Sequence, residues 1–381
     1  MKGTVYYIGF YGEDKEGKRN NLIANPAGTV KMNFIINCLK ELGYRIIILC
    51  ITYDNSPGIH KQKKVVVDDR EEYIYLPYFS LKINGKLRGQ KKSSMYALKQ
   101  YMTEQFTKES LVITYHSLFY ENLIRDIHQK VGFKWISQVE ELYNLSRKDY
   151  YNKDALETEE SYFIDADGFL FVNDILPERY AFHKPYAVSY GTYDYFGDNK
   201  KSIDGLINVT YTGIVNEDRG IYRIIDAFNY LPKEYKLNIL GFGSEENMQK
   251  MFSMIQKLNF DAGYDKAVFF GTKMGKDYSD FLLQNQIGIS LMDTSDVVSQ
   301  NAFPSKIMAY LGHSLYVVSS KCESIVKSKV AGDLIYCGET PEEIAEAVLS
   351  IKIGENHSMK ERIQNLKKDF CTSLDDVLTN V

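Results

Sequence analysis

The sequence has few cysteines, and they are too scattered to form a disulfide framework or a zinc site. Its 381 residues include five, with no Cys-x-x-Cys pair and no neighbouring histidine pattern. Zinc sites and disulfide-rich secreted domains both depend on closely spaced ligands or cysteine pairs. We therefore expect a reducing, cytoplasmic environment for this chain.

A long apolar run and an excess of basic residues are also absent. The longest apolar stretch, RIIILCIT at 45–52, is the length of a strand, far short of the roughly 20 residues that cross a bilayer. The N-terminal sequence MKGTVYYIGFYG predicts a first strand rather than a secretory signal. With 46 Lys and Arg against 50 Asp and Glu, the net charge is −4, which disfavours a nucleic-acid-binding protein.

What the first half does contain is an alternation of strand-like and helix-like segments. A strand at 3–12 is followed by a helical pattern at 27–43, which ends at Gly43, and by a strand at 44–53. This order is the repeating unit of a parallel sheet. Further strands are predicted at 73–78, 110–116, 133–140, 167–173 and 186–193.

A second alternation follows the polar segment 196–205, which predicts a domain boundary. Its strands are predicted at 207–214, 235–243, 267–272, 287–293, 315–318 and 333–338, and its helices at 220–232, 245–258, 277–285 and 341–351. The expected fold class is α/β, with two Rossmann-like parallel-sheet domains facing each other across a cleft. We predict domains at 1–200 and 201–357, with a terminal helix at 358–381 packing back on the first.

Two strand–turn junctions of the second domain carry residues suited to an anion. In TGIVNEDRGI, Arg219 opens a helix and can fork two hydrogen bonds to phosphate oxygens; the alternative is a surface arginine that caps a turn. In LGFGSEE, Gly241 and Gly243 would let a ligand approach free backbone N–H groups. The alternative there is a plain strand-to-helix turn.

A third candidate is NAFPSKIMAYLGHSLYVVSS at 301–320. Pro304 suits the first turn of a helix, and Ser305 and Lys306 follow on a helix whose other face is apolar. A hydroxyl, a cation and a helix N-terminus together favour a phosphate. The alternative is a capped core helix with an exposed lysine. The stretch VFFGTK adds a backbone edge at a strand end.

The order and spacing of these segments resemble the nucleotide-sugar-binding domain of GT-B glycosyltransferases, in particular glycosyltransferase family 4 and its relatives in bacterial surface-polysaccharide assembly. The resemblance covers roughly 205–350 well. The first half is similar to the family's acceptor domain more loosely. Three segments carry this looser similarity: NPAGTVKMNF with Gly28 and Thr29, VITYHSLFY with His116, and WISQVEELYN with Glu140 and Glu141.

The chain departs from the family's pattern at several positions. Ile214 stands where the family has an arginine, and Arg219 takes the place of its lysine, so Lys306 is the candidate for the missing second cation. Asn301 and Ala309 replace two glutamates that hold the sugar and the ribose. Asn301 can still hydrogen-bond a sugar hydroxyl, whereas Ala309 cannot hold ribose.

The resemblance implies a retaining glycosyltransferase that moves a sugar from a nucleotide-sugar, expected to be a UDP-sugar, to a glycan, lipid-linked or protein-linked acceptor. The role implied is surface-polysaccharide or glycoconjugate synthesis. The implied donor-binding residues are Gly28, Thr29, Gly213, Arg219, Gly241, Gly243, Thr272, Lys273, Asn301, Ser305 and Lys306. His116, Arg219 and Lys306 are the implied catalytic residues, and Glu140 and Glu141 the acceptor side.

No metal or other cofactor is expected, because fixed cations can stabilise the charge that develops on a leaving diphosphate. The triplet DAD at 165–167 has the spacing of a metal-binding aspartate pair, but it precedes a strand of the other domain. His116 would act as a base only if the enzyme inverted the anomeric centre. A satisfied histidine at a domain edge is the alternative.

A basic segment lies in the first domain. From Tyr73 to Thr103 there is no Asp or Glu, and the aromatic Tyr78 and Phe79 precede the cations. The cations are Lys82, Lys86, Arg88, Lys91, Lys92 and Lys99. We interpret 82–99 as a loop that contacts an anionic membrane surface or a lipid-linked diphosphate. A mobile, solvated loop is the alternative.

Two other classes of protein remain open on the sequence alone. The substitutions at Asn301 and Ala309 favour a non-catalytic GT-B-like subunit that supports an active partner. A nucleotide-sugar 2-epimerase would also use two Rossmann-like domains, but without an acceptor. A nicotinamide dehydrogenase is disfavoured because no G-x-G-x-x-G with a following ribose-binding acid is present. Homo- and hetero-oligomers are both compatible with the sequence.

Overall fold

Two parallel sheets, each formed by its own part of the chain, organise the computed structural model. The structure describes residues 2–12, 22–23, 26–51, 53–54, 56–144, 153–200, 205–295, 299, 301–354 and 357–381. Unit 1 comprises Met1–Val172, Leu176–Ser189 and Asp369–Val381; unit 2 comprises Asn173–Ile175 and Tyr190–Lys368.

The chain passes into unit 2 after Ser189, earlier than the boundary near residue 200 that the polar segment predicts. Of that segment, residues 201–204 lie outside the described residues. The polar segment lies after the point where the chain passes from unit 1 to unit 2, because Tyr190 and Tyr193, just before the segment, are already buried residues of unit 2.

Unit 1 contains a mixed sheet of eight described strands. In chain order the strands of this part of the chain are β1 (Thr4–Gly9), β2 (Leu22–Ile23), β3 (Arg45–Cys50), β4 (Tyr53–Asp54), β5 (Gly58–His60), β6 (Lys63–Val66), β7 (Glu71–Tyr75), β8 (Tyr78–Ile83), β9 (Lys86–Arg88), β10 (Leu111–Tyr115), β11 (Lys134–Val139), β12 (Gly168–Phe171) and β13 (Tyr186–Val188). The large sheet has the order β13-β12-β11-β10-β1-β3-β7-β6, and β6 runs antiparallel to its neighbour.

Helices cover this sheet, so its inner strands are apolar on both faces. They are α1 (Pro26–Glu41), α2 (Gln90–Gln105), α3 (Glu121–Val131), α4 (Lys153–Asp165) and α5 (Ile175–Tyr180). In β3 every residue from Ile46 to Cys50 is buried, as expected for a parallel strand with helices on either side. The sequence predicted α1 but not α2 to α5.

Unit 2 is a doubly wound sheet in which all described strands are parallel. Its strands are β14 (Ile207–Ile214), β15 (Tyr235–Phe242), β16 (Ala267–Phe269), β17 (Ile287–Ser290), β18 (Tyr316–Ser319) and β19 (Leu334–Tyr336). Its helices are α6 (Ile221–Ala227), α7 (Glu245–Ala262), α8 (Gly275–Leu282), α9 (Lys306–Gly312), α10 (Glu323–Val326), α11 (Pro341–Leu349) and α12 (Lys360–Asn380). The predicted α/β class with Rossmann-like parallel sheets is confirmed.

The strand order locates the edge where a ligand would bind in each unit. Unit 2 has the order β16-β15-β14-β17-β18-β19, which is 3-2-1-4-5-6 by position in the chain. The order reverses between β14 and β17, and in unit 1 between β1 and β10. In open α/β sheets, ligands bind beyond the carboxyl ends of the strands at such a reversal.

The basic segment is not a loop, which corrects the prediction for 82–99. Strands β8 and β9 form a hairpin, and α2 follows at once. The turn between the strands is Asn84-Gly85, and both residues have positive φ, 50° and 76°. Two consecutive residues with positive φ form the turn that joins hairpin strands most tightly, and Asn-Gly is its typical sequence.

Helix α12 crosses from unit 2 into unit 1, where its last part packs. The rings of Phe370 and Phe34 lie 5.4 Å apart, and Lys2 forms an ion pair of 2.7 Å with Asp375. The helix begins in unit 2, and its residues from Asp369 onward belong to unit 1. Among the described residues, no helix has the length and hydropathy to span a membrane.

Candidate functional site

Next to the carboxyl end of β14, a glycine leaves room for a buried lysine. Gly213 has φ of 140°, and a Cβ built there would lie 3.1 Å from Nζ of Lys306. A side chain at this position would therefore displace the ammonium group. Glycine at this position therefore provides the space that the lysine occupies, near the strand end where the sheet order reverses.

Lys306 holds an ammonium group inside unit 2 without a neutralising partner. Its Nζ is buried and has no hydrogen-bond partner among the described residues. It lies 4.2 Å from the centre of the Tyr211 ring, a cation–π contact. Burial, reinforced by the positive charge of Arg219, lowers the pKa of Lys306 to about 7. A bound anion would relieve both effects.

Arg219 lies at the turn that opens α6, as predicted, and the turn is closely packed. Its backbone N–H donates to Oδ1 of Asn216 at 3.0 Å. The next residue, Gly220, has φ of 67°, and a Cβ there would lie 2.8 Å from Cβ of Leu291, just beyond β17. The turn is therefore pressed against the strand on the other side of the order reversal. Lys306 and Arg219 thus both lie near the carboxyl end of β14.

Helix α9 is held on the sheet by the Tyr310 hydroxyl. The backbone N–H of Thr212 donates to this oxygen at 2.9 Å, and the Thr212 hydroxyl lies 3.2 Å from it. The ring covers Gly288 of β17, where a Cβ would collide with it. Because Tyr310 is one turn beyond Lys306, this anchor fixes the lysine at the end of β14.

Ser305 does not cap the helix, which corrects one part of the predicted phosphate cradle. Its backbone is helical, with φ of −54°, and its side chain makes no capping hydrogen bond. A capping hydroxyl needs an extended backbone to reach the first free N–H groups. The structure instead points to the Lys306 ammonium as the group that would meet an anion. Ser305 itself is exposed.

Packing within the protein accounts for glycine at positions 241 and 243. A Cβ at Gly241 would collide with the carbonyl oxygen of Gly213, and one at Gly243 would lie 2.6 Å from the carbonyl oxygen of Val215. The two glycines therefore let the ends of β14 and β15 approach each other. Their assignment to donor binding stays a prediction.

The other residues of unit 2 that the sequence analysis singled out for the donor site are partly exposed and partly buried. Thr272 and Lys273 are exposed just beyond β16. Asn301 is buried, and its carbonyl oxygen accepts a hydrogen bond of 2.6 Å from Nδ2 of Asn173. Ala309 is in α9, where its carbonyl oxygen lies 2.7 Å from Nδ1 of His313.

In unit 1, His116 is enclosed by two carboxylates. Its Nδ1 and Nε2 each lie 2.8 Å from an oxygen, of Glu121 and of Glu159 respectively, and all three side chains are buried. Burial by itself lowers the pKa of His116, but the two hydrogen bonds outweigh it and raise the pKa to about 9. Both ring nitrogens then donate. His116 is therefore an imidazolium within an ion-pair network, and it is not placed to accept a proton from an acceptor.

A second charged cluster, which the sequence did not predict, lies at the carboxyl edge of the unit 1 sheet. Lys31 of α1 donates to the carbonyl oxygen of Ser189 and lies 3.8 Å from Oε2 of Glu140. The other oxygen of Glu140 accepts from Nε2 of Gln138 at 2.5 Å, and Gln138 accepts from the Tyr7 hydroxyl. Burial lowers the pKa of Lys31, and the charge of Glu140 opposes that change.

The sequence does carry a signal for Lys31. It occupies a helical stripe with Ile35, Cys38 and Leu39, all of which are buried. A single cation in a stripe of apolar residues at helical spacing indicates a buried charge that needs a partner. Gly28 and Thr29 are also buried in this helix, and the Thr29 hydroxyl lies 3.5 Å from the backbone nitrogen of Gly12. Glu141 is exposed.

The two aspartates of the DAD triplet are engaged in unit 1. Asp165 forms an ion pair of 2.7 Å with Arg125. Asp167 lies 3.2 Å from Nε2 of His128 and accepts from the backbone N–H of Trp135 at 2.8 Å. In the described part of the chain, no group of three or more His, Cys, Asp or Glu side chains could hold a metal ion. Metal-independence stays a prediction.

Comparisons with known proteins define the fold. No protein-family model and no curated protein sequence matches this chain. Among solved structures, sucrose-phosphate synthase from Thermosynechococcus elongatus is similar with a TM-score of 0.69 at 13% identity, covering 99% of this chain and 98% of that one. The UDP-forming α,α-trehalose-phosphate synthase from Burkholderia xenovorans, in complex with glucose-6-phosphate, gives 0.67 at 8% identity and 99% of both chains.

A further similar structure, described as trehalose-6-phosphate from E. coli bound with UDP-2-fluoro glucose, gives a TM-score of 0.60 at 9% identity, covering 99% of this chain and 96% of that one. These likenesses extend over nearly the whole chain and show that it has the GT-B fold. They do not single out glycosyltransferase family 4.

Proposed function

We propose that this chain is a glycosyltransferase that takes its sugar from a nucleotide-sugar and binds the donor diphosphate with Lys306 and Arg219. The observation that carries the proposal is the Lys306 ammonium, buried against Gly213 without a hydrogen-bond partner in the described part of the chain. A buried charge of this kind is costly until an opposite charge arrives. It lies at the sheet edge where doubly wound folds bind ligands.

The proposed chemistry follows from the position of the two cations. Breaking the bond between the anomeric carbon and the diphosphate leaves negative charge on the diphosphate oxygens. Cations that are already fixed stabilise this charge more in the transition state than in the ground state. The family that the sequence resembles has an arginine where this chain has Ile214, and in this proposal Lys306 supplies that positive charge instead. A uridine nucleotide is the first donor to test, because the similar E. coli structure holds a UDP-sugar.

We place the acceptor at the Lys31–Glu140 cluster of unit 1. The Glu140 carboxylate is oriented by Gln138 and is partly exposed, with 19% of its side chain accessible, so it can accept a hydrogen bond from a sugar hydroxyl. His116 is already bonded at both nitrogens, which favours transfer with retention, since that route needs no dedicated base. The acceptor candidates are glycan, lipid-linked and protein-linked hydroxyls; a sugar phosphate joins them because one similar synthase binds glucose-6-phosphate.

The experiment is a thermal-unfolding panel with UDP, GDP, dTDP, ADP and CMP, each with and without magnesium. A ligand at 100 times its dissociation constant stabilises the folded state by about 2.7 kcal/mol, so the preferred nucleotide should raise Tm clearly. We expect Lys306→Ala and Arg219→Ala to abolish the shift. Lys352→Ala, an exposed lysine of the same unit, is the matched control and should retain it. A flat panel for the unmodified protein would contradict the proposal.

A second candidate is a non-catalytic GT-B subunit, favoured by Asn301 and Ala309 at the positions where the family has two glutamates. The two candidates predict different outcomes once a nucleotide is identified. A glycosyltransferase should release the nucleoside diphosphate from the matching nucleotide-sugar, slowly with water and faster with an acceptor. A supporting subunit should bind the nucleotide or a partner chain without any release.

The finer assignments rest on the sequence. Membership of glycosyltransferase family 4 and a role in surface-polysaccharide or glycoconjugate assembly are supported by the motif order over 205–350. A cytoplasmic location is supported by the scattered cysteines.

A further inference from the structure

A small antiparallel sheet of unit 1 exposes an apolar face. In this sheet β8 pairs with β5 and β9, and Ile59 of β5 is directly opposite Phe79. Phe79, Leu81 and Ile83 alternate along β8 and therefore share one face of the pleat with Ile59. The exposed fractions are 84% for Ile59, 44% for Phe79, 56% for Leu81 and 51% for Ile83. Adjacent large apolar side chains at this exposure mark an interaction surface.

The opposite face of the same sheet is buried at the start of β8 but exposed at Lys82, near the hairpin turn. Tyr78 and Ser80 point inward and are buried. The Tyr78 ring stacks on His60 at 4.2 Å, and Ser93 at the start of α2 accepts a hydrogen bond of 3.0 Å from the backbone N–H of Phe79. The start of β8 is therefore held on α2, with the Phe79 side of the sheet turned outward.

Cations lie on the same outer face as the apolar side chains. Arg88 is directly opposite Leu81, and Lys86 is directly opposite Ile83. The chain from Tyr73 to Thr103 contains no acidic residue that could neutralise them locally. The outer face thus combines contiguous apolar area with uncompensated positive charge.

We propose that this outer face docks unit 1 on an anionic lipid bilayer. The docking face is defined as Ile59, Phe79, Leu81, Ile83, Lys86 and Arg88. The four apolar side chains enter the boundary between headgroups and acyl chains, while the two cations meet lipid phosphates. An acidic polymer in water would satisfy the cations but leave the apolar side chains exposed, whereas a bilayer offers both environments in one plane.

This proposal goes beyond donor binding and depends on different residues. It also relocates the membrane contact predicted for 82–99, because Lys91, Lys92 and Lys99 follow in α2 and are not part of the docking face. Since Lys306 and Arg219 are in the other unit, loss of nucleotide binding and loss of vesicle binding can be observed separately.

The test is flotation of the full chain with two kinds of vesicle, phosphatidylcholine alone and phosphatidylcholine mixed with anionic phosphatidylglycerol. We expect binding to the mixed vesicles only, and weaker binding as salt rises from 0.1 to 1 M, where the Debye length falls from about 10 to about 3 Å. Lys86→Glu with Arg88→Glu should weaken binding at least about tenfold, since each cation near the surface contributes about 1 kcal/mol.

Leu81→Ser with Ile83→Ser tests the apolar part and should also weaken binding to the mixed vesicles about tenfold or more. The controls change exposed residues of unit 2: Lys233→Glu with Lys352→Glu, and Phe260→Ser, a residue that is 84% exposed. Controls that bind like the unmodified protein, with both test variants weakened and folded by circular dichroism, would support the proposal.

The proposal would be overturned by no binding to either vesicle, by equal binding to both, or by test variants that bind as well as the controls. A concentration-dependent dimer that is lost in Leu81→Ser with Ile83→Ser, without vesicle binding, would assign the face to a second copy of the chain and would also overturn it. Sedimentation-velocity runs without vesicles distinguish this case.

Discussion

At the scale of single residues, the charged form of Lys306 is unfavourable in the free protein, because it is buried without a counter-charge among the described residues. Its pKa of about 7 is set by burial and by Arg219, both of which oppose protonation. A nucleoside diphosphate would supply the missing counter-charge and raise that pKa again. Binding and protonation of Lys306 are therefore coupled.

This coupling predicts proton uptake on binding. Above pH 7 the free Lys306 is increasingly neutral, so nucleotide affinity should fall by up to about tenfold per pH unit between 8 and 9. Calorimetry in two buffers of different ionisation enthalpy should show up to one proton taken up at pH 8. Lys306→Arg is the control, because arginine stays charged and its variant should bind without proton uptake. Uptake that persists in Lys306→Arg would assign the proton to another group.

At the scale of elements, the end of β14 and the start of α9 work together. The strand needs a residue without a side chain at Gly213, one position before its end, because Lys306 takes that space. The helix has to be anchored, and Tyr310 does this through the backbone N–H of Thr212. The site therefore depends on a strand end and a helix start that are about 90 residues apart in sequence, as in other doubly wound sheets.

Gly213→Ala is predicted to weaken nucleotide binding as well as stability. A Cβ there meets Lys306 at 3.1 Å, and a φ of 140° is unfavourable for alanine. The matched control is Gly263→Ala at the end of α7, where φ is 76° and nothing lies within 4 Å of the Cβ position. Both variants should lose about 1–2 kcal/mol of stability in urea unfolding. Only Gly213→Ala should lose affinity in the nucleotide titration; equal affinity in both variants would contradict a role for this space.

At the scale of the whole molecule, two buried cations make the stability of the two units depend on pH in opposite directions. The folded pKa of Lys306 lies below its unfolded value of 10.5, so its penalty is greatest at or below pH 7 and disappears as pH rises toward 10.5. The folded pKa of His116 is raised from 6.5 to about 9, so its stabilisation is complete below pH 6.5 and is lost as pH rises through 9.

Two variants should reveal these effects separately. Lys306→Met should be more stable than the unmodified protein by about 1–3 kcal/mol at pH 7, an excess that shrinks toward pH 10.5. His116→Gln should be less stable by about 3–5 kcal/mol at pH 6, a deficit that shrinks toward pH 9. Fluorescence of Trp135, the single tryptophan and a buried residue of unit 1, reports the second effect, while circular dichroism reports both units. A deficit of His116→Gln that does not vary with pH would exclude the ion-pair account.

Local patterns were enough to predict most strands and the helices of unit 2. Helices α2 to α5 were missed, and in α2 the polar Ser94 is one of the buried positions, beside Leu98 and Met102. The hairpin between β8 and β9 was missed although its Asn-Gly turn is a recognisable signal. Of the predicted site residues, Arg219 and Lys306 come together at one strand end, whereas His116 has a different environment from the one expected.

The sequence by itself determined the α/β class and the parallel sheets, because strand periods, helix periods and turn glycines are local properties. The pairing of Arg219 with Lys306 was implied by the resemblance to GT-B glycosyltransferases. Only the tertiary structure decided the charge states. Lys306 has a low pKa because the packed residues around it exclude water, and His116 has a high pKa because α3 and α4 each bring a glutamate to it. Such environments arise from side chains far apart in sequence, so no local pattern records them.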